Sequence, residues 1–377
     1  MSITETKAKT VKDRQEQIQT EMMRLLNLPS AYSVWNAQKM DFKISPSTRL
    51  LTVGEIELNH MAGKYPKSDM HILKAVHALG FATKAHIMAL LRYWKKCDEE
   101  EALGSGRERL NIPELTDKEL WGRIMELCRY GVLIRREFWP PEEIRKPSDT
   151  SRSVFHVSAS GASMYKTILS DNTLSFDQRL AYMNEEDVFR YVLTGMAAAS
   201  FLGSAYVYSA RFHVSAQVGR RKYQVLAEIK ASLNKKAWEG EYRCRLIFEG
   251  VTFRTNPAVV TRENRYKNVL ARVRELWTVV SAYKEESPVY VLFCTEDGYG
   301  LKDLLNIIAE VDSRMFSCCL FTTGTVLEYH RVFSQPEGIS ESSLEYLPEK
   351  NGRLAVAVGY YFLDCGKILA DRAATQK

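Results

Sequence analysis

The tightest constraint on the fold of this chain is a helix that begins after Thr116 and ends before Gly131. Residues 116–119 (TDKE) form a capping box, in which the threonine and glutamate side chains each accept a hydrogen bond from a free backbone amide. Apolar residues follow at helical spacing, at Leu120, Ile124 and Leu127. A glycine just after the last apolar position is typical of a helix C-terminus. The sequence therefore predicts one amphipathic helix between these two signals.

Two earlier helices and two later strands are predicted around this helix. The first helix runs from Asp69 to Gly80, and Thr83 caps the second. The other features are a polar insertion over 97–115, strands over 132–138 and 153–159, and a helix over 162–169. Three helices followed by strand, loop and strand is the order of a winged helix-turn-helix, whose third helix enters a DNA groove. A helical hairpin that contacts only protein remains an alternative.

The second half of the chain alternates predicted helices and strands after a linker near 170–176. Helices are predicted over 185–203, 262–283 and 301–312, and strands over 205–214, 222–231, 242–254, 288–294 and 316–322. Such alternation indicates an α/β sheet with some antiparallel strands. The predicted fold class is therefore mixed α+β and α/β. Its parts are a helical arm and irregular lead at 1–64, a winged helix-turn-helix at 65–170 and an α/β domain at 177–377.

Positive charge is concentrated in one stretch of the chain. The net charge is +6, yet residues 218–274 hold fourteen Lys and Arg against five Glu, so the remainder is slightly acidic. A cationic face of this kind attracts an anionic polymer. A solvated basic surface without any partner is the alternative explanation.

Other classes of protein find little support in the sequence. The N-terminus lacks the apolar core of a signal peptide, and the apolar run at 288–294 is too short to span a membrane. The seven cysteines include no C-x-x-C pair, so no zinc site is predicted. We therefore expect a cytoplasmic protein with no membrane partner and no cofactor.

Candidate DNA contacts in the first domain lie on the third helix and on the wing. The early exposed positions of such a helix face base edges, and an arginine can pair with guanine. The candidates are Lys118, Trp121 and Arg123 on the helix and Arg135, Arg145, Lys146 and Arg152 on the wing. Residues 107–152 hold ten Lys and Arg against nine Asp and Glu, so strong nonspecific binding by this domain alone is not expected.

The second domain contains a candidate metal site and candidate phosphate contacts. Glu228 and Lys230 lie on the same side of a predicted strand, and such a pair is half of a Mg²⁺-dependent nuclease site. Residues 188–227 contain no Asp or Glu, which leaves Glu186 or Asp187, on the preceding helix, to supply a second ligand. An edge-strand ion pair is the alternative. The expected phosphate contacts, placed away from the apolar stripe of their helix, are Arg265, Arg272 and Arg274, with Lys222, Arg262 and Lys267 as further candidates.

These segments together resemble the replication-relaxation family of plasmids and mobile elements. The likeness covers about 65–325 and rests on the Gly-hydrophobic-Leu-x-Arg step at 131–135, the close Val157-Ser158-Ala159-Ser160-Gly161, and the segment PVYVLFCTEDGYGLKDLLNII. The resemblance implies an N-terminal winged helix and a nuclease-like domain of the PD-(D/E)xK type. Ser209-Ala210 stands where that type has Pro-Asp, so the implied domain is catalytically degenerate.

The leading hypothesis is a DNA-binding protein of a bacterial or mobile-element system that recognises a duplex through its winged helix. Its expected partner is double-stranded DNA, and a replication or mobilisation protein and a homodimer remain open. One alternative is a Mg²⁺-dependent DNA nuclease that uses Glu228 and Lys230. Another is an interaction subunit of a conjugation or defence complex, assembled through the amphipathic arm at 7–27.

Overall fold

The structure is a computed structural model of the 377-residue chain. It describes residues 41–44, 51–105, 112, 114–139, 152–202, 207–234, 241–253, 261–284, 289–296, 298–324 and 327. The N-terminal arm predicted at 7–27 lies outside these residues. Within them the fold is mixed α+β, with helices and two sheets.

The chain divides into two compact units, and the division falls between His213 and Val214. We call residues 37–213 the N-terminal unit and the described residues from 214 onward the C-terminal unit. The N-terminal unit extends beyond the linker predicted near 170–176, and it includes the helix predicted at 185–203.

The N-terminal unit combines helices with a three-stranded antiparallel sheet. The helices are α1 (Val53–Met61), α2 (Lys67–Leu79), α3 (Lys84–Ser105), α4 (Asp117–Arg129), α5 (Ala159–Leu169), α6 (Gln178–Ala181) and α7 (Glu185–Leu202). The strands are β1 (Asp41–Ile44), β2 (Leu133–Trp139) and β3 (Arg152–Val157), in the order β1-β2-β3. One isolated bridge, in which the backbones of Ala82 and Phe155 exchange two hydrogen bonds, adds the segment between α2 and α3 to the edge of β3.

Helix α4 forms as its caps and apolar positions predict. Thr116 Oγ1 accepts a hydrogen bond from the Glu119 amide, and Glu119 Oε2 accepts one from the Thr116 amide. Its apolar residues Leu120, Ile124 and Leu127 are fully buried. Gly131 follows with φ of +72°, a conformation that favours glycine, and the chain continues from there into β2.

A single serine joins the end of α4 to the strand pair and to α5. Ser158 Oγ donates to the Gly131 carbonyl at 2.6 Å and accepts from the Gly161 amide at 3.0 Å, so it caps α5 while it holds the turn before β2. A Cβ at position 161 would overlap the Val132 carbonyl oxygen and lie 2.9 Å from Val157 Cγ1. The segment 157–161 therefore needs serine and glycine where they stand.

The C-terminal unit is built on a five-stranded mixed sheet in the order β4-β5-β6-β7-β8. Its elements are β4 (Val207–Val218), which begins in the N-terminal unit, β5 (Arg221–Asn234), β6 (Glu241–Val251), α8 (Arg262–Tyr283), β7 (Val289–Thr295), α9 (Gly298–Asp312) and β8 (Cys319–Thr323). β5 pairs antiparallel with β6, whereas β6, β7 and β8 are parallel and are connected through α8 and α9. β7 and β8 are buried along their whole length, as parallel strands between covered faces are.

Two parts of the N-terminal unit differ from the prediction. The prediction of a polar insertion at 97–115 is wrong for its first half, because α3 continues to Ser105. The residues after Cys97 are good helix formers, and Lys96 pairs with Glu100 at i,i+4. Helix α1 was not predicted, although a second capping box of Thr52 and Glu55 begins it. No helix of the described residues is both long and apolar enough to cross a membrane.

Gly161→Ala should lower the free energy of unfolding by about 1–3 kcal/mol, because the new methyl group overlaps a backbone carbonyl that cannot move independently. Gly122→Ala is the matched control. Gly122 is exposed within α4 and has nothing within 4 Å of its Cβ position, so this change should raise the free energy by about 0.5–1 kcal/mol. Urea unfolding of the full chain measures both, and equal effects of the two substitutions would contradict the packing described for Gly161.

Candidate nucleic-acid interface

Trp121 forms the centre of a surface shared by α4 and the strand pair. It lies on the first turns of α4, one residue after the buried Leu120, and is 37% exposed. One edge of its ring packs on Phe155 of β3, with the ring centroids 6.1 Å apart. The indole is therefore fixed by the sheet on one side and open to solvent on the other.

Two cations flank this indole. Lys84 Nζ, at the start of α3, lies 5.9 Å from the ring centroid, and Arg135 Cζ on β2 lies 5.6 Å from it. Both distances are in the range of cation–π attraction. Lys84 also pairs with Asp117, and Arg135 pairs with Glu137 and donates to Ser153 Oγ at 2.9 Å. We call Lys84, Trp121 and Arg135 the Trp121 cluster.

The other DNA contacts predicted for the N-terminal unit, apart from Arg123, fall into three groups. Lys118 is exposed on α4, and Gly122 next to Trp121 presents bare backbone to solvent. Arg152 begins β3 and is half-buried. Arg145 and Lys146 lie outside the described residues. Of the contacts predicted for this unit, Lys118, Trp121 and Arg135 thus lie on or beside one surface.

The prediction of an exposed Arg123 is wrong. Its Nε and Nη2 donate to the two carboxylate oxygens of Asp69 on α2, and Nη2 also donates to the Lys64 carbonyl. A third partner is Glu126 on α4. Burial raises the pKa of the Asp69 carboxyl although Arg123 binds it, and this hydrogen-bonded partner raises the pKa of Arg123. Arg123 therefore ties α4 to α2, and its donors are used within the unit.

Arg265 on α8 is also buried, at 7% exposure, so the prediction that it faces solvent is wrong. Its Nε donates to the Thr252 carbonyl at 2.8 Å, and Nη2 donates to the Thr252 hydroxyl. Thr252 follows the end of β6, so the guanidinium fastens the first turn of α8 to that strand. Its position four residues before the buried Val269 is the sequence signal for this orientation.

Arg272 on α8 is likewise held inside the C-terminal unit, with its side chain 15% exposed. It donates to Glu249 Oε2 at 2.9 Å, to Glu275 at 3.1 Å and to the Gln224 carbonyl. Burial lowers its pKa, but Glu249 and Glu275 outweigh this effect and the pKa is raised. Arg274, by contrast, is 60% exposed and lies 3.9 Å from Glu310. Of the three predicted phosphate contacts, Arg274 is the one that faces solvent.

The predicted nuclease pair lies on β5, opposite β6. Glu228 is buried and Lys230 is half-buried, and the two project from the same face of the strand. Glu228 pairs in register with Ile247, so Glu249, two residues further along β6, projects from that face as well. Glu249 is the carboxylate that Arg272 binds. Glu186 is buried on α7 in the other unit.

The described residues include no group of three or more His, Cys, Asp or Glu side chains that could hold a metal ion. Glu249 is the carboxylate on this face that could act as a second metal ligand, and its counter-ion is Arg272. The arrangement on this face is that of a buried ion pair between the sheet and α8, in which Glu249 is bound by Arg272.

Sequence reasoning missed two sets of exposed or surface-lining cations, one beside Trp121 and one at the turn between β4 and β5. Lys84 follows the predicted cap Thr83, and the fold places it beside Trp121, which lies 37 residues later in the chain. Arg220 and Arg221 stand exposed at the turn between β4 and β5, next to the predicted Lys222. The run RRK before an apolar strand was the available signal for this second set.

Comparisons of the chain with family models, with curated proteins and with solved structures found no match. The resemblance to the replication-relaxation family therefore stays a prediction that rests on the residues quoted for it.

Arg272→Met should lower the free energy of unfolding by roughly 3 kcal/mol, because it leaves the buried Glu249 carboxylate without its counter-ion. Arg274→Ala should change it by less than about 0.5 kcal/mol, since Arg274 is exposed. Chemical denaturation distinguishes the two. A neutral Arg272→Met together with a costly Arg274→Ala would contradict the burial described for these arginines.

Proposed function

We propose that this chain is a double-stranded DNA-binding protein of a bacterial or mobile-element system, in which the N-terminal unit acts as a winged helix. The observation that carries the proposal is the Trp121 cluster, an exposed indole between two cations where α4 meets the strand pair. This is the position from which a recognition helix and its wing contact a duplex.

The element order of the N-terminal unit supports this reading. Helices α2, α3 and α4 precede the antiparallel pair β2–β3, and an isolated bridge at Ala82 joins the segment between the first two helices to β3. The N-terminal half of α4 exposes Lys118, Trp121 and Gly122. In a helix-turn-helix these early positions of the third helix approach base edges.

The chemistry of this surface favours recognition by shape and contact over attraction by charge. Lys84 and Arg135 each have a carboxylate neighbour, Asp117 and Glu137 respectively, so their charges are largely balanced. The indole can pack on sugar or on a thymine methyl group, and the bare backbone at Gly122 permits close approach. Nonspecific, salt-sensitive affinity then has to come from the basic C-terminal unit.

The C-terminal unit is proposed to hold DNA without cutting it. The resemblance implies a nuclease-like domain, and the mixed sheet with two parallel crossover connections is compatible with that domain. Metal-dependent cleavage requires hard oxygen ligands that converge on one ion. Glu249, the carboxylate that shares a sheet face with Glu228, binds Arg272 instead.

Gly122→Glu should weaken binding to cognate duplex DNA at least about tenfold, or ~1.4 kcal/mol, because it adds bulk and negative charge to the recognition surface. Glutamate is a better helix former than glycine, so α4 should persist. Fluorescence anisotropy with DNA selected by the protein from a random duplex pool measures the affinity.

The matched control is Gly54→Glu. Gly54 is also an exposed helical glycine, on α1, with nothing within 4 Å of its Cβ position. Its substitution adds the same side chain elsewhere and should leave the affinity within about twofold of the wild type, or ~0.4 kcal/mol. Equal losses in the two variants, or no loss in Gly122→Glu, would refute a recognition surface on α4.

Supercoiled plasmid incubated with the protein and Mg²⁺ should stay supercoiled, because the second carboxylate on the Glu228 face, Glu249, is bound to Arg272. Glu228→Gln provides the reference for contaminating activity. Nicking by the wild-type protein that disappears in Glu228→Gln would replace this proposal with the nuclease alternative.

A further inference from the structure

Strands β4 and β5 form a two-stranded ribbon at the edge of the large sheet. β5 pairs with β6 from Ala227 onward, so residues 221–226 have β4 as their strand partner. Two residues, Gly219 and Arg220, connect the strands. Gly219 has φ of +59° and Arg220 does not have a positive φ, the pattern of a tight hairpin turn with glycine first.

One face of this ribbon is open to solvent. On β4 Ser215 and Gln217 are exposed while Ala216 between them is buried. On β5 Lys222 and Gln224 are exposed, Tyr223 is half-buried and Val225 is buried. Because side chains alternate across a strand, the exposed set forms a polar face backed by an apolar one.

The tip of the ribbon is positively charged. The tip carries Arg220, Arg221 and Lys222 in succession, and all three are exposed. The chain contains no Asp or Glu from residue 188 to residue 227, so β4 and residues 221–226 of β5 contain no carboxylate to offset these charges. This distinguishes the ribbon from the Trp121 cluster, whose cations are paired, and from Arg265 and Arg272, which are internal.

A two-stranded ribbon with this composition fits one class of ligand. The major groove of B-form DNA is wide enough for a β-ribbon, and glutamine side chains can pair with adenine there while lysine and arginine contact phosphate or guanine. The A-form major groove is too deep and narrow for side chains to read. We infer that the β4–β5 ribbon, through Arg220, Arg221, Lys222 and the glutamines behind them, lies in the major groove of duplex DNA as a second contact surface of this protein.

The inference shares its ligand with the proposed function but rests on a different surface. The test is the salt dependence of binding by the full chain to a 30-bp duplex of arbitrary sequence, without a cognate site. Each lost phosphate contact lowers the slope of log affinity against log salt by about 0.9, so Arg220→Gln/Arg221→Gln/Lys222→Gln should reduce the slope by roughly 2–3. The variant should unfold at the wild-type denaturant concentration, because the replaced side chains are exposed.

The control variant removes the same charge elsewhere. Lys166, Arg179 and Arg314 are exposed cations on other elements, and their joint replacement by Gln should leave the slope within about 0.5 of the wild type. An equal loss of slope in both triple variants would show a general charge effect and overturn the inference. An unchanged slope in the ribbon variant would also overturn it.

A duplex RNA of the same sequence tests the groove. The wild type and the ribbon variant should bind this A-form duplex with the same slope, because the ribbon cannot enter its major groove. A loss of slope on RNA as large as the loss on DNA would indicate phosphate contact outside the groove and would overturn groove docking. If Gly122→Glu leaves cognate binding intact while the ribbon variant loses slope on DNA, the proposed recognition helix fails and this inference stands.

Discussion

The hydrogen bonds of Ser158 join the end of α4, the start of β2 and the N-terminus of α5, and the geometry of the Trp121 cluster depends on this junction. One hydroxyl connects the turn at Gly131 with the N-terminus of α5, and Gly161 lets that helix lie against the Val132 carbonyl. The start of β2 is thereby fixed relative to the end of α4. The position of Arg135 beside Trp121 follows from this junction, since both belong to the elements that it joins.

The alternation of a strand explains why adjacent arginines have different fates. Arg135 projects toward α4 and the indole, whereas Arg136 projects to the opposite face and is buried. There its guanidinium donates to the carbonyls of Leu180, Ala181 and Met183 at the end of α6, and burial lowers its pKa to about 10. One face of the sheet thus contacts Trp121 of α4 through Arg135, and the opposite face is bound to the end of α6 through Arg136.

Local signals in the sequence predicted most of the elements but only part of the candidate site. Caps and glycines act on their immediate neighbours, so the bounds of α4 and α8 could be read from the sequence, and a second capping box could have revealed α1. Arginine exposure depends on partners that the fold supplies. Asp69 reaches Arg123 across 54 residues, and Glu249 reaches Arg272 across 23. No spacing rule for a single helix contains these partners, so a position away from the apolar stripe suggested exposure where the structure shows ion pairs.

Under the proposed function, the distribution of charge divides DNA binding between two kinds of surface. Paired cations around Trp121 exert a weak field, so this surface gains little from counterion release and can discriminate by contact. Exposed cations at the β4–β5 tip attract the phosphates of any duplex, and this phosphate attraction carries no base preference. In this proposal the ribbon holds DNA of any sequence through its phosphates, and the Trp121 cluster selects a site. Arg265 and Arg272 of α8 belong to neither surface, because their guanidinium groups form the hydrogen bonds that hold the helix to the sheet.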